Sequence, residues 1–87
     1  MPAKTLDHRK LQRLLRETRE AAGLRQTDVA QLLGKPQSYV AKFELGERRL
    51  DVIELRAVCH ALGTTLPDFI RQLEEILSNP SEKKQPV

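Results

Sequence analysis

The four glycines of this chain, Gly23, Gly34, Gly46 and Gly63, each stand at the end of a short run in which apolar residues recur every three or four positions. A glycine just past such a run accepts the left-handed backbone that stops a helix, so the chain must fold as short helices turned back on one another. The runs predict helices over about residues 6–22, 26–33, 36–45, 51–62 and 66–77. No segment alternates with the period of two that a strand needs, and none repeats. With no Trp, one Tyr and two Phe among 39% apolar residues, the shared core must be built mainly of Leu, Ile, Val and Ala. A chain of 87 residues buries roughly 60% of its unfolded surface around a single core. The expectation is therefore one compact, all-α, five-helix domain over residues 1–78.

Local signals support each segment. Thr5 stands where it can cap the first helix, which carries Leu11, Leu14, Leu15, Thr18 and Ala22 on one stripe and His8, Arg9, Lys10, Arg13, Arg16 and Arg19 outside it. Pro36 opens the third helix, where a missing amide costs no hydrogen bond. Asp51, three residues before Glu54, forms the acidic version of a capping box for the fourth. That helix, with Val52, Ile53, Leu55, Val58, Cys59, Ala61 and Leu62, reads as central and buried. The fifth carries Leu66, Phe69, Ile70, Leu73, Ile76 and Leu77 as an apolar stripe. Residues 79–87 have little to bury and read as a disordered tail.

Charge is distributed unevenly. The net value is +3, yet residues 1–49 carry +5 and residues 50–87 carry −2, as expected if one face meets a polyanion. A single cysteine cannot close an internal disulfide. No apolar run approaches the roughly 18 residues of a membrane span, and the first residues lack the apolar stretch of a signal peptide. A cytoplasmic protein with no membrane partner is expected.

The informative stretch is Gln26 to Gly46, which reads as a helix-turn-helix. Ala30 is small enough to let two helices cross closely, Gly34 takes the turn, and Val40 and Phe43 lock the second helix onto the first. The polar edge of that second helix is left projecting.

With Gly23, Leu24, Gln26, Ala30, Gly34, Val40, Glu44, Gly46, Leu62, Gly63 and Thr65 at this spacing, and the leucines of the first helix before them, the chain resembles the lambda-repressor-like DNA-binding domain of Cro and Xre transcriptional regulators. The resemblance spans nearly the whole chain. It implies that Gln37, Ser38 and Lys42 meet base edges in the major groove: Gln suits adenine, Ser a donor or an acceptor, Lys the guanine acceptors. Gln26 at a helix start, Tyr39, Arg48 and Arg49 would contact phosphates. Arg19 and Glu44 would form the ion pair that ties the first helix to the recognition helix. Two departures stand out. Arg25 replaces a capping Ser or Thr, at a cost of about 1 kcal/mol, and adds a possible phosphate contact. Lys35 and Pro36 likewise replace the hydroxyl before the recognition helix.

Other chemistries fare poorly. Cys59 and His60 are helix neighbours whose side chains diverge by roughly 100°, so they cannot share a metal. There is no phosphate-binding glycine loop, no G-x-S-x-G motif and too little chain to enclose a substrate, so neither an enzyme nor a cofactor is expected. The apolar stripe of the fifth helix exceeds what the core requires. Phe69, Leu73, Ile76 and Leu77 are therefore expected at a two-fold interface, which in this family sets recognition helices about 34 Å apart. The reading is a homodimeric, sequence-specific binder of double-stranded DNA with a palindromic operator, acting as a repressor. The alternative is an antitoxin-like DNA-binding protein whose last helix grips a protein partner.

Overall fold

A computed structural model describes residues 5–78; the expected tail, 79–87, lies outside the described residues. The helices are α1 (Leu6–Ala21), α2 (Gln26–Leu33), α3 (Gln37–Leu45), α4 (Val52–Ala61) and α5 (Leu66–Ser78), and no strand occurs among the described residues. The all-α, five-helix expectation holds, with no end shifted by more than one position. Helix α2 packs on α3, α1 on both α3 and α5, and α4 on α2 and α5.

Each helix start has a visible cause. The Thr5 hydroxyl accepts the His8 amide at 3.1 Å, Asp51 accepts the Glu54 amide at 2.8 Å, and Thr65 accepts the Asp68 amide at 3.2 Å. The Glu54 carboxylate completes its box by accepting the Asp51 amide at 2.9 Å. Arg25, which has no side-chain acceptor, leaves half of this device to Asp28, whose carboxylate accepts the Arg25 amide at 2.8 Å. Pro36 stands just outside α3 rather than in its first turn, extended at φ −69° and ψ 156°.

Leu14, Leu15, Val29, Ala30, Val40, Phe43, Leu55, Val58, Cys59, Leu62 and Phe69 are buried in one core. It draws on every helix, and α2 and α3 each pin two side chains in it. Burial of Cys59 pushes its thiol up to about 11, as expected for a sulfur that packs as a small apolar group. Two details differ from the sequence reading. Helix α4 is one-sided: Leu55, Val58 and Cys59 point inward, while Val52 and Ile53 remain 61% and 72% exposed. Phe69 is fully buried, so it has no surface to offer a second subunit and is withdrawn from the expected interface. An aromatic ring at the crossing of α5 with the core stabilises the monomer itself, by about 3 kcal/mol or more against Ala.

Candidate nucleic-acid interface

The turn between α2 and α3 is short because Gly34 adopts φ 67°, φ/ψ space that a residue with a Cβ enters only at a cost. Its amide donates to the Gln31 carbonyl at 3.1 Å, and the Lys35 amide donates to the Ala30 carbonyl at 2.9 Å. These bonds use the loose carbonyls of α2 and aim the chain directly into α3. Buried Val40 and Phe43 then fix the rotation of α3 about its axis, and Gln37, Ser38 and Lys42 are left exposed.

At its far end α3 is wound into the basic loop. The Lys42 carbonyl accepts the amides of Glu47 at 2.8 Å and Arg48 at 3.2 Å, while the Gly46 amide donates to Phe43 at 3.3 Å. Gly46 has φ 82°, and a Cβ built there would strike the Gln12 side chain of α1. Gln12 meets it only with the end of a flexible side chain that can swing aside, so it is the left-handed backbone, more than the space, that calls for glycine at this corner.

The N-terminal end of α3 is held by a polar chain. Arg19 is 11% exposed and Glu44 4%; the Arg19 Nε donates to Glu44 at 2.6 Å, and a terminal nitrogen donates to the other carboxylate oxygen at 3.0 Å. The remaining terminal nitrogen donates to the Leu24 carbonyl at 2.9 Å. Hydrogen bonding to Glu44 raises the Arg19 guanidinium above its ordinary value, against the opposing effect of burial. The Gln26 amide nitrogen donates to Glu44 at 2.9 Å, and the Gln26 oxygen accepts the Gln37 amide nitrogen at 2.7 Å. Gln26, expected as a phosphate contact, is thus also the link between the buried pair and the exposed tip of α3.

The opposite edge is held differently. The Tyr39 ring meets Phe43 edge-on, with centroids 5.8 Å apart at 87°. Lys35 Nζ lies 5.3 Å and the Arg48 guanidinium carbon 4.8 Å from the Tyr39 centroid, within cation–π range. Arg48 also donates to Glu54 at 2.5 Å, which ties the loop to the start of α4. Its neighbours Tyr39, foremost, and Glu54 raise its guanidinium above the ordinary value. Arg49 is exposed and, with His8, Leu11, Gln12 and Arg48, borders a surface cavity of about 220 Å³ between α1 and the loop. Arg25, at 81% side-chain exposure, donates to Asp28 at 3.1 and 3.0 Å, and these bonds hold the Asp28 carboxyl below its usual range.

Sequence reasoning missed the partners of these cations. Asp28 three positions after Arg25 was a readable local signal. The sequence shows Glu54 only as a capping residue; that it also faces Arg48 is decided by packing. On α5, Leu73 and Ile76 pack partly against the core and Leu77 is half-buried, whereas Ile70 is 41% exposed. Among the described residues no cluster of three metal-ligating side chains occurs, and no helix is long and apolar enough to cross a membrane.

Two short helices at a tight glycine turn, the second presenting a braced polar rim, define a helix-turn-helix module. The helix-turn-helix family model matches residues 15–69. An Xre-family-like protein from Pseudomonas syringae pv. tomato is 44% identical, with 80% of this chain and 85% of that chain covered at a TM-score of 0.76. The clp gene regulator ClgR from Corynebacterium glutamicum is 24% identical over 87% of this chain and 99% of its own, at a TM-score of 0.73. The restriction-modification controller protein C.Esp1396I is 22% identical over 87% of this chain and 100% of its own, at 0.76. The last two show the shared fold alone. A search of the curated proteins gives no match. The chain belongs to the Cro/Xre helix-turn-helix family of DNA-binding transcriptional regulators, which is not an enzyme family.

Proposed function

We propose that the protein is a homodimeric repressor that inserts α3 into the major groove of a palindromic operator. The observation that carries this reading is the exposure of Gln37, Ser38 and Lys42 on a helix whose opposite side is pinned by Val40 and Phe43. In it, Gln37, Ser38 and Lys42 meet base edges, while Arg25, Gln26, Tyr39, Arg48 and Arg49 meet phosphates. Pairing with Asp28 and Glu54 leaves Arg25 and Arg48 oriented before DNA arrives, and a phosphate competes with those carboxylates. Ile70, Leu73, Ile76 and Leu77 of α5 form the two-fold contact, with the exposed Ile70 taking the place of Phe69. Blocking a promoter by occupancy then represses transcription.

Selection of bound duplexes from a random pool tests the reading. It expects a palindromic consensus and a two-protomer complex in light scattering. A protein that enriches no sequence, or that binds its consensus as a monomer, contradicts it.

A further inference from the structure

The cavity of about 220 Å³ between α1 and the loop after α3 has two unlike ends. Its floor is the rim of the core: Leu15, Phe43 and Leu55 are buried, and Leu11 and Leu50 pack partly against them. Its mouth is polar, lined by His8, Gln12, Arg48 and Arg49, and among the described residues no carboxylate lines it. Every formal charge on that lining is therefore positive, which suits an anion. Donors remain at the mouth. Glu54, which stands outside the lining, takes one terminal nitrogen of Arg48, and a guanidinium carries five N–H donors. The His8 ring meets Thr5 through Nδ1 at 2.8 Å, which leaves Nε2 over. The half-buried Gln12 amide lies beside Gly46 and makes no hydrogen bond with a described residue.

An apolar floor with a few polar groups gathered at one end is the ordinary form of a small-ligand site. Volume sets the size of its occupant. A cavity of about 150 Å³ holds a benzene ring, so this one has room for one ring and a carboxylate, and not for a peptide or a nucleotide. We infer that the cavity binds a small amphipathic monocarboxylate. Its apolar body, of about one ring, lies on Leu11, Leu50 and the rim of the core, and its carboxylate lies between Gln12 and the two arginines. A guanidinium fork and an amide N–H are the donors that a carboxylate needs. The consequence for DNA rests on the reading of Arg48 and Arg49 as phosphate contacts. A carboxylate held by these arginines occupies the same donors, so the ligand and the DNA backbone exclude one another, and the ligand releases the operator.

The test follows amide shifts of the isotopically labelled full chain on titration with phenylacetate, with its neutral isostere phenylacetamide and with acetate, at one pH and one total sodium concentration. Phenylacetate is expected to give saturable shifts at Gln12, Gly46 and Leu50 with a Kd of about 1 mM, as its roughly ten non-hydrogen atoms can supply. Phenylacetamide has the shape without the charge and acetate the charge without the body, so each should bind about ten-fold more weakly or worse. Gln12→Glu sets a carboxylate at the mouth and should weaken phenylacetate by about ten-fold or more. No saturable shift on this face, equal binding of acid and amide, or full affinity in a folded Gln12→Glu overturns the site, whatever the DNA reading. Saturating phenylacetate should also lower affinity for the selected duplex by about ten-fold or more, where phenylacetamide does not. If the shifts appear and duplex affinity is unchanged, the competition is overturned and the site stands; Arg48→Ala then locates the fault. A variant that also leaves duplex affinity unchanged places it in the phosphate reading, and one that lowers the affinity places it in the competition alone.

Discussion

The two edges of α3 both reach the surface, yet they are held by opposite kinds of interaction. On the Gln37 edge, neutral amides are fixed by a sequence of directional hydrogen bonds that ends on a buried ion pair. On the Tyr39 edge, two cations lie against an aromatic ring, and one of them also pairs with a partly exposed carboxylate. Hydrogen bonds specify which end of a group faces outward; stacked cations specify only where positive charge sits. The difference separates the two things a DNA-binding surface needs. One edge is built to discriminate among bases, the other to attract a backbone that is the same at every position.

The comparison can be broken most severely at its buried end. Arg19→Met leaves Glu44 without its partner at 4% exposure, and should destabilise the fold by about 3 kcal/mol or more, read as a lowered urea midpoint. The equivalent change on the other edge, Glu54→Gln, should cost less than about 1 kcal/mol, because that pair is partly exposed. Equal losses from the two would show that burial does not distinguish the edges.

Gln37→Ala and Arg48→Ala separate the edges by function. The first should relax preference at one base position by about 1 to 3 kcal/mol. The second should weaken all sequences alike and reduce the slope of log affinity against log salt by about 1. Identical behaviour of the two variants would remove the distinction between discrimination and attraction.

A smaller effect concerns pH. Hydrogen bonds from the Arg25 side chain, then from its backbone, hold Asp28 below its usual range. Its contribution to stability is thus fully present above the unfolded value of about 3.9 and is lost as pH falls through the lower folded value. Asp28→Asn should therefore lower the urea midpoint slightly at pH 7 and make no difference once the pH is well below 3.9. A difference that grows on acidification would reverse the sign and contradict the pairing.

Much of the fold was legible because its signals are local. Thr5, Asp51 and the glycines act within one turn of where they stand, and the helix stripes need only the 3.6-residue period. What escaped depends on distance in space. Phe69 and Ile70 are adjacent in sequence, and only packing decides that the ring goes fully inside while its neighbour stays 41% exposed. The apolar Val52 and Ile53 looked buried, but they sit on the outer side of a short helix. At the candidate site, residue chemistry and the family resemblance brought forward Gln26, Gln37 and Glu44, but not their order in one chain. That order follows from which atoms meet, and the sequence does not contain it.

The most direct measurement of the central claim is amide chemical-shift mapping of the labelled protein titrated with its selected duplex. If α3 is the reading surface, the largest changes fall on Gln26, Gln37, Ser38 and Lys42 and on the loop at Arg48 and Arg49. Changes concentrated instead on the outer surface of α4 around Val52 and Ile53, with the rim of α3 unmoved, would contradict it.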